Sequence, residues 1–490
     1  MALLATVVLL GLWTPRVSGQ TLLQGPTPQA NSDNPFLGAV PGTKAEDVHE
    51  LSLAQAVDRG LRFNLGLLLS KRAQQQAAAD KTRALSGLLP TVDASIGENV
   101  EKINFDLFGL GSINLNSLGL GSNAVLPRSV GPFSTSTASG SVYWSLLDLT
   151  HIRNWQASGQ MNQAATATYR QARELVVVTV ETNYLLAEAL ESQYLATKAD
   201  YETAQALHKL AQDQEHAGLV PEIDTLRART ELQNRTHALL QAKSNYDKQM
   251  VALARVLGLP ITNPLTLTTR LSYRPQAETD EQQALARALA SRQDYQSAQA
   301  QLRALEYAHK AAKAEYLPSV LSSTIYGVVG LHPSEASPTW ASSISLQIPI
   351  FHGGRTEADA KTAEINLKRQ QDVLTDLKIR IAQEVHNAIL DMRTAGEQVE
   401  AAQIAVQFAD ATLRQSQDRF ANGVANNIEV IQAQQQLANA REQYVGSLYL
   451  FNSSRVFLQR ATGTAEKSVA DFSTEQAVQG PNIPSQSAGK

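Results

Sequence analysis

From about Gly354 to Phe420 the chain runs for roughly 67 residues with no proline and one internal glycine, Gly396. Within that run Val385, Met392, Val399, Val406 and Leu413 recur every seven residues, with Ala388, Ala395, Ala402 and Ala409 at the same interval between them. Alternating steps of four and three hold one seam against a neighbouring helix, and the alanines let that neighbour approach closely. As a helix the run is roughly 100 Å long at 1.5 Å per residue. No ordinary globular core is that deep. The segment must therefore lie along other long helices or cross a wide space, and a coiled-coil rod is the plainest chain that does so.

Self-comparison shows that the chain is written twice. A shift of 228 aligns Gln55–Ser95 with Gln283–Ser323 and superposes Ala56, Leu89, Pro90 and Val92 on Ala284, Leu317, Pro318 and Val320. A shift of 205 aligns the later part of each half, placing Asp213, Gly218, Ile223, Leu232 and Gly258 on Asp418, Gly423, Ile428, Leu437 and Gly463. The offsets differ by 23, so an insertion of that size lies between about residues 97 and 141. Each half reads as helix, strand, loop, strand, very long helix, glycine turn and shorter helix. Pro90 and Pro318 end the first helices, because proline pushes the residue before it out of the helical region. Ile344, Leu346, Ile348 and Ile350 then alternate with Ser343, Ser345 and Gln347, as Trp144 and Leu146 alternate with Tyr143 and Ser145. That period of two marks strands with one apolar face. The glycine-bearing stretch of residues 105–123 precedes no helical pattern before about Ile152, which makes it a long loop and not a phosphate cradle. The second hairpin's loop is the shorter stretch of residues 329–339.

The domain boundaries that follow are a signal peptide at 1–19, a flexible segment at 20–50, a first repeat at 51–263, a connector at 264–279, a second repeat at 280–463 and a flexible tail at 464–490. The opening MALLATVVLLGL is too short an apolar run to span a bilayer, and Val17 and Gly19 stand where small residues precede a signal cleavage site. No later stretch approaches the ~20 apolar residues of a membrane helix. If the chain enters a membrane, it does so as strands. Four strands cannot close a barrel, for which about eight are needed, so several chains must share one. The net charge of -4 and the absence of cysteine argue against a nucleic-acid surface, disulfides and thiolate metal sites.

The duplicated joins LLPTVDAS and YLPSVLSS, the turn IFHGGR, and the stretches AGLVPEIDTLRARTEL and NGVANNIEVIQAQQQL resemble the TolC-like outer-membrane efflux protein family over residues 51–463. The resemblance implies a mainly α fold with a small β part, in which a periplasmic α-helical tunnel continues into a transmembrane β-barrel shared by a homotrimer. It implies a passive exit duct in the outer membrane, docking through helix-hairpin tips to a periplasmic adaptor and to an inner-membrane pump or exporter, with no cofactor, no metal and no catalysis. The contrasting reading is a soluble or peripheral coiled-coil scaffold.

The resemblance also designates residues. Asp224 and Glu429 lie six positions past Gly218 and Gly423, where similar channels project acidic side chains into a periplasmic gate; otherwise they are ordinary carboxylates favoured by a helix start. Phe420 and Gln432 stand at gate positions occupied in TolC by a tyrosine and a second acid, and Ala425 where TolC has an arginine. Gly218, Leu219, Val220, Gly423, Val424 and Ala425 form the tip turns that would meet the adaptor. Trp144, Leu146, Ile344, Leu346 and Ile348 are the expected lipid face. One Glu-x-x-His, Glu306 and His309, lacks the second pair that a carboxylate-bridged metal site needs and reads as a helix surface.

Overall fold

A computed structural model of the chain describes residues 34–40, 49–108, 128–261, 265–275, 280–422, 424 and 427–466. The first half comprises β1 (Glu50–Leu51), α1 (Leu53–Phe63), α2 (Leu65–Ser86), β2 (Thr91–Asn104), β3 (Ser129–Leu147), α3 (Leu149–His216) and α4 (Glu222–Leu257). The second comprises β4 (Thr266–Leu267), α5 (Glu281–Ser291), α6 (Gln293–Ala314), β5 (Ser319–Gly330), β6 (Ser337–Gln347), α7 (Arg355–Ala421) and α8 (Asn427–Ala461). Element for element the second half repeats the first. The chain nevertheless folds as two compact units, each drawing on both halves: one holds residues 70–171 and 293–380, the other the described residues up to Leu69, Ala172–Arg292 and those from Ile381 onward.

The first of these units contains a four-stranded antiparallel sheet in the order β2-β3-β5-β6. Its register puts Trp144 opposite Ser322 and Ser322 opposite Ile344, while Val320 faces both Leu147 and Leu346. Residues directly opposite share a face. One face therefore carries Val92, Ile96, Trp144, Tyr326, Ile344 and Leu346, all exposed. The other carries Asp93, Ser95, Ser139, Ser141, Ser323, Ser343 and Ser345. Leu146 departs from simple alternation: the ladder slips between Ser145 and Leu147, which leaves Leu146 as the extra residue of a bulge. Ile348 lies just beyond the end of β6 and is exposed.

The strands run further than their alternation suggests. The ladder continues to Val329 opposite Ser337, so the second loop shrinks to residues 331–336. Pro338 stands opposite Val328 as the second residue of β6, at the end of the strand where proline is accommodated. Most of the glycine-bearing loop of the first hairpin lies outside the described residues. Trp144 Nε1 donates to the carbonyl of Leu88 at 3.0 Å, tying β3 to the turn that follows α2. The helices here meet through small residues: Ala164 and Ala167 on α3 and Ala298, Ala300 and Ala304 on α6 are buried, and Ser297 Oγ donates to the Ala164 carbonyl at 3.1 Å.

In the other unit α7 shows the seam that its heptads require. Val385, Ala388, Met392, Ala395, Val399, Ala402 and Leu413 are buried, Val406 and Ala409 partly so, and Ile381, Ser416 and Phe420 extend the stripe at both ends. Between residues 176 and 190 α3 is buried on nearly every side, with Val176, Val177, Val180, Tyr184 and Ala187 at 0% exposure. There β1 and β4 pair in parallel, Leu51 against Leu267. The Tyr184 hydroxyl donates to the Leu51 carbonyl at 2.8 Å and accepts from the Thr269 amide at 2.9 Å. Arg59 Nε donates to the Leu257 carbonyl at 3.0 Å, fixing α1 to the end of α4. A one-sided stripe thus becomes all-round burial where the short pieces from both halves gather.

Candidate functional site

The two interhelical turns close in the same way. The Leu219 amide donates to the Gln214 carbonyl at 2.8 Å, and the Val424 amide to the Arg419 carbonyl at 2.9 Å. Both span six residues, and at the first turn this is the six-to-one bond of a helix that ends in a left-handed residue. Gly218 holds that conformation at φ +72°, with open space where a Cβ would stand, so backbone geometry and not crowding selects glycine. Leu219 and Val424 are left 73% and 69% exposed, apolar side chains offered to solvent at the turns, and Val220 is half-buried. Gly423 and Ala425 lie outside the described residues.

Past each turn the repeat-related acids sit in different surroundings. Asp224, in the first turn of α4, is 8% exposed and pairs with Arg227 at 3.3 Å. Its backbone carbonyl accepts from Asn427 Nδ2 at 2.9 Å, which joins the start of α4 to the start of α8. Asn427 is fully buried, and its Oδ1 has no hydrogen-bond partner. Glu429 reaches across the turn to α7, with Oε1 3.3 Å from Arg419 Nε and accepting from Ser416 Oγ at 3.4 Å. Gln432 is exposed and lines a groove of about 370 Å³ between α4 and α8, together with Ile223, Leu226, Ile428 and Ile431. Further along, Glu231 and Arg235 form a buried pair at 2.7 Å, and Arg235 donates to Gln435 at 3.0 Å.

Phe420, which the resemblance puts at a gate position, packs against neighbouring helices of its own chain. It is 4% exposed and packs with Leu207, Leu413, Val430, Ala433 and Leu437. It occupies the next seam position after Leu413, so the heptad turns its ring inward. Sequence reasoning passed over Asn427, Ser416, Arg419 and Arg227, since polar residues at a turn reveal a role only when their partner elements are placed. Asn427 has no counterpart in the first half, where the 205 shift falls on Glu222.

Two further carboxyls are buried on α3, one heptad apart. Glu181 is fully buried, neither of its oxygens is hydrogen-bonded, and burial pushes its carboxyl up to about 8 against the opposing pull of Arg455. Glu188 is pushed up to about 7 by burial, opposed by a backbone hydrogen bond from Leu271 and by Arg270. Among the described residues no helix is long and apolar enough to cross a membrane.

A duplicated chain that carries a strand pair and a long helical hairpin in each half, with its apolar sheet face exposed, defines the class of outer-membrane channel proteins built from shared barrels. The comparisons agree. The profile of the outer membrane efflux protein family matches residues 64–259 and 284–464, well over half of the chain, and the protein belongs to that family. It is similar to nodulation protein T of Rhizobium leguminosarum bv. trifolii, at 22% identity over 85% of this chain and 86% of that one. It is similar also to protein CyaE of Bordetella pertussis, at 24% identity over 87% of each. Among solved structures the CmeC outer membrane channel of Campylobacter jejuni shares the fold, with a TM-score of 0.73 and 20% identity over 91% of this chain and 97% of that one. The protein is an outer-membrane efflux channel that extends into the periplasm, and the soluble scaffold reading is set aside.

Proposed function

We propose that three copies of the chain share one twelve-stranded barrel and act as the passive exit duct of a tripartite efflux or type I secretion system, joined at the interhelical turns to a periplasmic adaptor and through it to an inner-membrane pump or exporter. The observation that carries this reading is the four-stranded sheet, whose outer strands β2 and β6 each have one unpaired edge among the described residues while one face is broadly apolar. Unpaired backbone cannot face lipid, so the edges must be satisfied by other copies, with the apolar face outward. The lipid face then comprises Trp144, Leu146, Ile344, Leu346 and Ile348. Leu219 and Val424 supply exposed apolar contacts for an adaptor, flanked by Val220. The duct itself performs no chemistry; its energy comes from the partner pump.

The gate of this reading is formed by Asp224 and Glu429, with Gln432 beside them and Phe420 holding the helices that carry them. Carboxylate rings at a constriction favour cations and repel one another. Their salt bridges to Arg227 and Arg419 supply cations that would moderate that repulsion. Single-channel recording of purified protein in planar bilayers tests the assignment. Asp224→Asn combined with Glu429→Gln should lower cation selectivity and weaken block by multivalent cations. Unchanged selectivity and block would make both residues helix-start carboxylates outside the pore. Native mass spectrometry that returned monomers from mild detergent would overturn the shared barrel.

A further inference from the structure

Separate from the interhelical turns, the unit that holds the α7 seam carries a groove of about 740 Å³ walled by α7, α8, the segment after β4 and the start of α5. Gly396 on α7 lies in its wall. A glycine inside a helix destabilises it relative to alanine, and nothing among the described residues requires one here. Gly396 has no positive φ. A methyl group on it would sit 3.7 Å from Tyr273 Oη and 3.9 Å from Phe451 Cε2, which is ordinary contact. The helix thus presents bare backbone to the groove with no crowding among the described residues to require it.

What surrounds that backbone has a definite chemistry. Tyr273 and Phe451 meet edge to face with centroids 4.8 Å apart, and Leu390, Met392 and Leu458 add apolar wall. Asp280, Glu281, Glu397 and Glu400 line the same groove against Arg393 and His386. Of the acids, Asp280 caps α5, Glu281 lies 3.0 Å from His386, and Glu400 accepts from the Tyr273 hydroxyl at 2.7 Å. Glu397, one helical position from Gly396, is exposed and forms no ion pair or hydrogen bond among the described residues. The volume is that of a pocket for a drug-sized molecule, and carboxylates beside aromatic rings are the surroundings that hold organic cations. No group of residues suited to a metal ion occurs among the described residues.

We infer that this groove binds an amphiphilic organic cation, its apolar body laid over the bare backbone at Gly396 against Tyr273 and Phe451, and its cationic centre at Glu397 and Glu400. An organic anion would meet more carboxylates than cations here, which disfavours it.

The probe is rhodamine 6G, followed by fluorescence anisotropy with the full-length protein in nanodiscs and empty nanodiscs as reference, at low ionic strength. Saturable binding is expected, weakened at least ten-fold by Glu397→Gln with Glu400→Gln and abolished by Gly396→Leu, whose side chain would cover the bare backbone beside Tyr273 and Phe451. If Gly396→Leu fails to assemble, the charge variant alone decides. Binding no greater than to empty nanodiscs, or equal in the wild type and the charge variant, overturns the inference. So does a wild type that takes up no dye while Gly396→Leu dissociates in native mass spectrometry, which would make the groove a contact between copies of the chain.

Discussion

Glu181 makes the stability of the helical unit depend on pH in a direction opposite to that of a salt-bridged acid. The carboxyl is fully buried on α3, and burial raises it from 4.5 to about 8, the Arg455 guanidinium opposing the rise. The folded chain therefore binds this proton more tightly than the unfolded chain does. The stabilisation is fully present below about pH 4.5 and is lost progressively as pH climbs to about 8. At about 1.4 kcal/mol for each pH unit of that interval, the arithmetic ceiling is on the order of 5 kcal/mol per chain. Relaxation and water entry around a newly charged group reduce this, and roughly 2 kcal/mol is the expected effect. Glutamine has the acid's shape and cannot ionise. Thermal unfolding of detergent-solubilised protein, scanned at one rate from pH 5 to 8.5, should show the wild-type transition falling with pH. Glu181→Gln should flatten most of that fall and unfold at the higher temperature above pH 7. Glu188, which titrates near 7, accounts for part of the remaining slope. Parallel wild-type and Glu181→Gln curves across the whole range would refute the argument, since they would show the carboxylate to be solvated or fully compensated by Arg455 when charged.

Three other outcomes follow from the packing. Leu346→Arg should lower assembly stability by ~2–4 kcal/mol if the site lies near the bilayer midplane, while Ser345→Arg on the opposite face should cost less; the reverse order in heat-modifiability gels would invert the facing of the sheet. Ala402→Leu places extra bulk in a seam position that is 8% exposed, and overpacking should cost ~1–3 kcal/mol, seen as a lower thermal transition; an unchanged transition would mean that the neighbouring helix stands further off. Phe420→Ala removes the ring that packs on Val430 and Leu437, with an expected loss of ~3–5 kcal/mol and faster proteolysis at the α7–α8 turn; a protease-resistant variant of normal stability would show that the ring is not an anchor.

Much of the fold was legible in the sequence because it is periodic. Val385, Met392 and Val399 announce a seam seven residues apart, and the structure buries all three. The alternation of Ile344 and Leu346 with Ser343 and Ser345 likewise reports a two-faced strand. Gly218 and Gly423 announce helix ends, and the 205 shift between them is the same shift that separates the two closing bonds at Leu219 and Val424. These signals are carried by neighbours along one element, where 3.6 and 2.0 residues per repeat are set by the backbone itself.

Tertiary structure decided everything that depends on which element packs against which. Asp224 and Glu429 are equivalent in the repeat, yet one pairs within its own helix and the other reaches back across a turn to Arg419. Phe420 is one aromatic near a turn until Leu207, Val430 and Leu437 close around its ring. Asn427 is one asparagine in a polar run until its amide meets the Asp224 carbonyl. Glu181 is one acid among many along α3 until neighbouring elements enclose it and keep its proton on. Burial and pairing are properties of three-dimensional neighbourhoods, and desolvation acts on a group only once those neighbours have displaced water.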